Sequence, residues 1–463
     1  MSDTTTVINP ATEAPIADVP IRGLDETDEA VARSLDAGPA WRAVAPADRA
    51  RLMRRFAAQV EEHAEELAQL ETANVGKAIG ESRDEVGMVA EVLYFYAGAV
   101  DKHRGATVPV AGGVDMTFHE PLGVVAAIIP WNFPIAITSW KVGPALATGN
   151  TIVIKPAEVT PLTALRLAEL ALDAGIPEGV LQVVTGKGSV VGTRLAEHPD
   201  VAKVAFTGST EVGRDVMARA SGTIKRVTLE LGGKSASVIF DDADLELAAA
   251  STPGGVFANA GQDCCARSRA LVQRPVFDRY LELLSEAVEG WTVGDPTDPT
   301  VKMGPMVTAA HRRVVEGFLA PGMGGADGGP VTAYARGAVP HGPGYWFPPT
   351  VVAPAEPGWR MAREEIFGPV VAVIPFDDEE DAIRLANDTP FGLSGSIWTR
   401  DGARSLRMAR AIQAGNLSVN SNSSVRVQTS FGGMKQSGFG RELGLEALAS
   451  YSDVKNVFVA TDG

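Results

Sequence analysis

Between residues 124 and 213 the chain repeats one pattern: a short apolar run, a turn of Gly, Pro or small polar residues, then a helical stretch. The apolar runs cover 124–129, 151–154, 179–184 and 201–206. Runs that are apolar throughout belong to strands buried on both faces, and parallel strands need crossovers that cover those faces. The expected fold class is therefore α/β, with a parallel sheet whose ligand site lies beyond the C-terminal ends of its strands. A helix over 161–174, and another after the turn Gly186-Lys187-Gly188-Ser189, supply such crossovers.

Around this block the pattern predicts helices over 26–35, 47–71 and 82–100. In the second, Leu52, Phe56, Val60 and Leu67 recur at helical spacing and are expected core residues. A second α/β region starts near Gly232, with strands over 236–239, 269–272 and 370–374. Residues 321–330 read as a flexible surface loop, and 451–460 as a strand used in assembly. With 463 residues the chain has length for two or three domains.

Composition narrows the function. A net charge of −16 repels nucleic acid but leaves room for a local phosphate site. The most apolar stretch, 124–140, is interrupted by Pro130, Asn132 and Pro134 and is too short to span a bilayer. The N-terminus lacks the basic and apolar regions of a signal peptide. The only cysteines, Cys264 and Cys265, are adjacent, so no disulfide framework exists. These features predict a cytoplasmic protein without a membrane or nucleic-acid partner.

Several chemistry-bearing residues sit just after strand-like runs. Cys264, in Asn259-Ala260-Gly261-Gln262-Asp263-Cys264-Cys265, reads as a nucleophile if its thiolate is stabilised, and otherwise as a small buried hydrophobe. Glu230, before Leu231-Gly232-Gly233-Lys234, reads as a general base whose pKa apolar surroundings raise, or as a strand-end surface charge. Asn132 lies in the rigid turn Pro130-Trp131-Asn132-Phe133-Pro134, where its amide can serve an oxyanion or merely the turn. Phe206-Thr207-Gly208-Ser209-Thr210-Glu211-Val212-Gly213 opens a helix able to receive a phosphate, and is equally a plain helix start. Lys155 and Glu158 can grip ribose hydroxyls, and a carboxylate there disfavours a 2′-phosphate; they also read as an exposed charged turn.

Together with Glu365-Ile366-Phe367-Gly368-Pro369 and Phe431-Gly432-Gly433-Met434-Lys435-Gln436-Ser437-Gly438, these segments resemble the aldehyde dehydrogenase superfamily, in family order and over essentially the whole chain. The resemblance is to its NAD-dependent, hydrolytic type. It implies a Rossmann-like NAD-binding domain (1–101 and 122–231), an α/β catalytic domain (232–430) and oligomerisation segments (102–121 and 445–463). It implies Cys264 as nucleophile, Glu230 as general base, Asn132 as oxyanion donor, and Lys141 with Glu442 as a proton-relay pair. Ile129, Trp131, Lys155, Glu158, Gly208, Ser209, Gly213, Leu231, Glu365 and Phe367 would hold NAD. Phe133 and Trp140 would wall the substrate tunnel, with Cys265 as a pocket neighbour.

No metal is implied, and assembly is expected to be a homodimer or homotetramer. Gly-Gln-Asp-Cys resembles bacterial aminobutyraldehyde and other ω-aminoaldehyde dehydrogenases. The expected small-molecule substrate is therefore an ω-aminoaldehyde such as 4-aminobutyraldehyde, drawn in by Asp84 and Glu85 at the tunnel mouth. A broad aliphatic or aromatic aldehyde specificity is the alternative.

Overall fold

The computed structural model describes residues 4–320, 333–423 and 425–461. The expected surface loop at 321–330 lies outside the described residues. Among those described, no helix is long and apolar enough to cross a membrane.

A hairpin of β1 (Thr4–Ile8) and β2 (Pro15–Pro20) leads into α1 (Leu24–Ala43), α2 (Pro46–Glu62), α3 (Ala64–Val75) and α4 (Ile79–Ala99). The helix expected over 26–35 runs on past Pro39, because a proline removes one helical hydrogen bond while the last turn buries Trp41, only 1% exposed. The helix expected over 47–71 is broken at His63. Its ring Nδ1 lies 2.9 Å from the Gln59 carbonyl, and its own carbonyl accepts the first bond of the next helix, from the Leu67 amide. One residue thus ends α2 and starts α3.

Then come β3 (Thr107–Val110), β4 (Gly113–Pro121), β5 (Val124–Ile128), α5 (Pro134–Ala147), β6 (Thr151–Lys155), α6 (Leu162–Asp173), β7 (Leu181–Val183), α7 (Thr193–Glu197), β8 (Val201–Thr207), α8 (Thr210–Ala220) and β9 (Arg226–Glu230). A second series follows: β10 (Ala236–Ile239), α9 (Leu245–Val256), β11 (Arg269–Gln273), α10 (Phe277–Glu289), α11 (Ala309–Glu316), β12 (Ala333–Arg336), β13 (Thr350–Val352), α12 (Arg360–Arg363) and β14 (Val370–Phe376). It continues through α13 (Glu379–Asn387), β15 (Phe391–Gly392), β16 (Ser394–Trp398), α14 (Gly402–Ala411) and β17 (Asn416–Val419). The chain ends with β18 (Met434–Lys435), β19 (Gly438–Phe439) and β20 (Ser452–Ala460).

The first sheet has the order β19-β9-β8-β5-β6-β7, parallel except for β19. Every residue of β5 and β6 is buried, as the unbroken apolar runs require. The order reverses at β5: β6 and β7 extend one way, β8 and β9 the other. A crevice opens at such a reversal. The register makes the strand ends flush there, with Ile128 opposite Lys155 and Phe206, and Thr207 opposite Glu230.

The second sheet has the order β12-β13-β14-β11-β10-β16-β17, parallel except for β12. It has its own core, including Val238, Leu271, Val371, Val373 and Ile397, all at 0% exposure. A third, three-stranded sheet of order β20-β4-β3 stands apart from both.

Candidate active site

A cleft of about 930 Å³ lies over the flush ends of the first sheet and extends to Cys264, Glu365 and Phe367, on the connections that lead into β11 and β14. That volume is at the upper end of ordinary ligand sites. It brings together Ile129, Trp131, Asn132, Lys155, Glu158, Gly208, Ser209, Glu230, Leu231, Cys264, Glu365 and Phe367. These residues span 239 positions of chain, and twelve of the seventeen anticipated site residues line this one space. Lys141, Glu442, Phe133, Trp140 and Gly213 do not line it.

Cys264 sits on the connection between α9 and β11. The chain reaches it through three successive left-handed residues, Asn259, Ala260 and Gly261, with φ of +48°, +55° and +69°. At Gly261 a side chain would collide with the Gly368–Pro369 backbone, so glycine is required. Contact with the Cys265 thiol is the main influence that raises the Cys264 pKa well above the ordinary thiol range; burial, Asp263 and Glu365 add to it. The raised pKa favours the thiol over the thiolate, so a group that takes its proton assists the chemistry.

Glu230 ends β9 and is 4% exposed. Neither of its carboxylate oxygens has a hydrogen-bond partner among the described residues. Burial pushes its pKa well above the usual carboxylate range; the charge of Glu442 adds to this, and Lys141 and Arg441 oppose it. Lys141, on α5, pairs with Glu442 and donates to Thr207 Oγ1 at 2.8 Å. The pair does not line the cleft, but both of its charges act on Glu230.

Asn132 follows β5. Its Nδ2 donates to the Gln262 carbonyl at 2.9 Å, and its own carbonyl accepts from Asn259 Nδ2 at 2.8 Å. A primary amide carries two N–H groups, so anchoring one on Gln262 orients the other.

Where the strands of the first sheet end, Lys155 is mostly buried, which lowers its pKa. Glu158 accepts the Gly188 amide at 2.8 Å. Gly208 lines the cleft, but its amide is spent on the Glu230 carbonyl at 3.0 Å. The start of α8 is a helix N-terminus able to receive an anion, and there Ser209 Oγ caps the Val212 amide at 3.3 Å. Gly213 is a packing glycine: a Cβ there would strike Leu231, which does face the cleft.

At the other end, Glu365 accepts the Gly233 amide at 2.8 Å, and burial raises its carboxyl to about 7. Phe367 adopts a left-handed conformation, with φ +56°, and packs edge-on against Trp131 at 5.2 Å. His311 completes this cluster. Its Nε2 lies 2.7 Å from the Phe367 carbonyl and its ring 5.0 Å from Trp131. Sequence reasoning missed His311, because no spacing links α11 to residue 367.

Trp140 and Phe431 belong to a large apolar core, and Phe133, Val425 and Cys264 pack against it partly buried. Trp140 meets Phe431 edge-on at 5.2 Å. The expectation for Glu85 is corrected. Its carboxylate is buried, pairs with Lys77 and accepts the Ala136 amide at 3.2 Å, so it belongs to the protein interior and not to a tunnel mouth. Asp84 is exposed on the outer face of α4. The acid beside the nucleophile is Asp263: one of its carboxylate oxygens and the Cys264 and Cys265 sulfurs lie within 4.8 Å of one another.

Residues 1–457 match the model of the Aldehyde dehydrogenase family. The chain belongs to the aldehyde dehydrogenase family. It is 40% identical to the NADP/NAD-dependent aldehyde dehydrogenase PuuC of Escherichia coli, covering 100% of this chain and 93% of the relative. It is 38% identical to a betaine aldehyde dehydrogenase of Bacillus subtilis, covering 98% and 93%. Among solved structures, the betaine aldehyde dehydrogenase of Staphylococcus aureus in complex with NAD+ superposes with a TM-score of 0.96 at 36% identity, covering 100% and 92%. The dehydrogenase takes NAD as cofactor, and its cleft suits one: a long space with a helix start at one end and a buried carboxyl, Glu365, at the other.

Proposed function

We propose that this dehydrogenase oxidises aldehydes to carboxylic acids through a covalent bond to Cys264, with Glu230 as base. The observation that carries this reading is the shared cleft: a thiol that needs deprotonation and a buried carboxyl with no partner among the described residues. Glu230 takes the Cys264 proton, and the sulfur adds to the aldehyde carbon. The carbonyl oxygen gains charge, which the free N–H of Asn132 and the Cys264 amide receive. Bound NAD supplies the hydride acceptor. Loss of hydride leaves a thioester on Cys264. Glu230 passes the thiol proton to the Lys141–Glu442 pair and is ionised again; it then removes a proton from water as the water attacks the thioester, and returns that proton to the departing Cys264 sulfur, which releases the acid and restores the thiol. Lys155 and Glu158 hold one ribose of the cofactor, and Glu365 with Phe367 the other.

The domain division follows the same reading: 1–101 with 122–231 for NAD, 232–430 for catalysis, and 102–121 with 445–463 for assembly as a homodimer or homotetramer. A reducing cytoplasm keeps Cys264 a free thiol.

For the substrate we favour a cationic ω-aminoaldehyde such as 4-aminobutyraldehyde. Its support is Asp263, an acid held beside Cys264 by accepting the Cys265 amide at 2.8 Å. Two of the relatives above carry the name of betaine aldehyde. The apolar core of Trp140 and Phe431, against which Cys264 and Phe133 pack, favours the second reading, uncharged aliphatic or aromatic aldehydes. NADH formation across 4-aminobutyraldehyde, betaine aldehyde, hexanal and benzaldehyde separates the two. The first reading requires the amino substrate to have the highest kcat/KM and Asp263→Asn to raise its KM selectively. A preference for hexanal that Asp263→Asn leaves untouched establishes the second.

A further inference from the structure

The three left-handed residues before the nucleophile pose a physical problem. Left-handed backbone is natural for Gly261 and tolerable for Asn259, but unfavourable for Ala260. Such a run persists only where its surroundings over-determine it. The peptide groups of Asn259 are held on both sides. Its carbonyl accepts from Gln262 Nε2 at 2.9 Å and from the Gln262 amide at 3.1 Å. Its amide is received by a single side chain from a distant element: Glu81, in the first turn of α4, with Oε2 at 3.0 Å and Oε1 at 3.3 Å.

Glu81 stands in a framework of charge. One turn further along α4, Glu85 takes the Ala136 amide of α5, just after the turn that carries Asn132. Lys77, in the link from α3 to α4, joins Glu85 to Glu71 and lies 4.5 Å over the Phe133 ring. The start of α4 therefore grips two segments at once, the nucleophile loop through Glu81 and the oxyanion turn through Glu85. The two segments are also tied to each other, by Asn259 on the Asn132 carbonyl and by Asn132 on the Gln262 carbonyl.

We propose that Glu81 is a positioning residue: by accepting the Asn259 amide it holds the left-handed run, and so keeps the Cys264 thiol and the Asn132 amide in reacting register. This rests on the roles proposed above for Cys264 and Asn132. The requirement is for an acceptor, not for a charge, because the partner is a neutral backbone N–H. Burial raises the Glu81 carboxyl to about 7, and a protonated carboxyl still offers its carbonyl oxygen to that N–H.

Glu81→Met keeps the volume and removes the acceptor; Glu81→Gln keeps an acceptor and removes the charge. Rapid-mixing measurement of the NADH burst, normalised to titrated Cys264, reports the acylation step. Glu81→Met should slow the burst at least about tenfold, as small misplacements of reacting groups do. Glu81→Gln should stay within about threefold of the parent, and both should bind NAD with unchanged affinity. A merely structural contact would lower the melting temperature without moving the rate per titrated thiol. A Glu81→Met burst within threefold of the parent overturns the proposal, as does Glu81→Gln as slow as Glu81→Met. Should Glu81→Met not accumulate as folded protein, Glu81→Ala is read the same way. Cys264→Ala is the control for the underlying mechanism: turnover by that variant refutes the role of the thiol, whatever Glu81 does.

Discussion

Lys141 and Glu442 are 301 residues apart in the chain, yet their side chains form an ion pair that is 0% and 1% exposed. The pair joins α5 to the segment after β19, which returns to the first sheet beside β9. Its effect on Glu230 can be worked out by sign. Lys141 lowers the Glu230 pKa and Glu442 raises it. Glu442→Gln removes a raising influence, so the base ionises at lower pH and the acid limb of the kcat profile moves down. Lys141→Met removes a lowering influence, and the same limb moves up. Lys141→Met also leaves a buried carboxylate unpaired, which costs about 3–5 kcal/mol of stability, whereas Glu442→Gln keeps an acceptor for the lysine. Limbs that move in the same direction, or not at all, would separate the pair from Glu230.

The nucleophile and the base should fail in different ways. Cys264→Ala removes the covalent step, and dehydrogenase activity should be abolished. Glu230→Gln removes the group that activates water. Because Glu230 also deprotonates Cys264, the NADH burst and steady turnover should fall together, by about 10²–10⁴, and the burst should recover at high pH. Steady turnover at the parent rate in Glu230→Gln is the result that refutes the assignment.

Much of the site was legible because parallel strands deliver their loops to one edge. Asn132, Lys155, Gly208 and Glu230 each follow an apolar run, and the register that aligns Ile128, Lys155, Phe206 and Glu230 is what those runs imply. The expected and observed bounds of β10 agree for the same reason: Gly232 and Gly233 before it and Asp241 and Asp242 after it interrupt the apolar run. The illegible parts depend on contacts between distant segments. Glu85 reads as a helix-surface acid, and only the fold shows that Lys77 neutralises it in the interior. His63 breaks a helix by bonding to Gln59, which no apolar periodicity reports. His311 reaches the cleft through Phe367, and Glu81 reaches the nucleophile loop across 178 residues. Gly213 closes a Gly-rich turn that reads equally as a phosphate site or a plain helix start, and its missing Cβ makes room for Leu231.

Glu158 should govern the choice between NAD and NADP. Its Oε1 is tied to the Gly188 amide, which fixes the carboxylate beside Lys155 at the cleft's edge. A carboxylate at that position accepts ribose hydroxyls and repels a 2′-phosphate. Glu158→Gln keeps an acceptor and removes the charge, so kcat/KM for NADP should rise relative to NAD by about tenfold, the equivalent of about 1.4 kcal/mol. The measurement is initial NADH and NADPH formation at one fixed aldehyde concentration. An unchanged ratio would place the discrimination elsewhere in the cleft.

The three-stranded sheet should be the assembly surface. β20 pairs with β4 over nine residues, from Ser452 with Pro121 to Ala460 with Gly113, and its other edge has no strand beside it among the described residues. A long open edge invites another chain. Its side chains add apolar contact area: Val454, Phe458 and Val459 are 64%, 50% and 46% exposed, and Phe118 on β4 is 45% exposed. Val454 and Phe458 are four residues apart and share one face of the strand. Placing Asp at both positions puts charge at the centre of that face without touching the cleft. Light scattering coupled to size exclusion should show the parent as a dimer or tetramer and the Val454→Asp, Phe458→Asp variant as a smaller species. A parent that is already monomeric at micromolar concentration, or a variant of unchanged mass, would remove this sheet from the assembly.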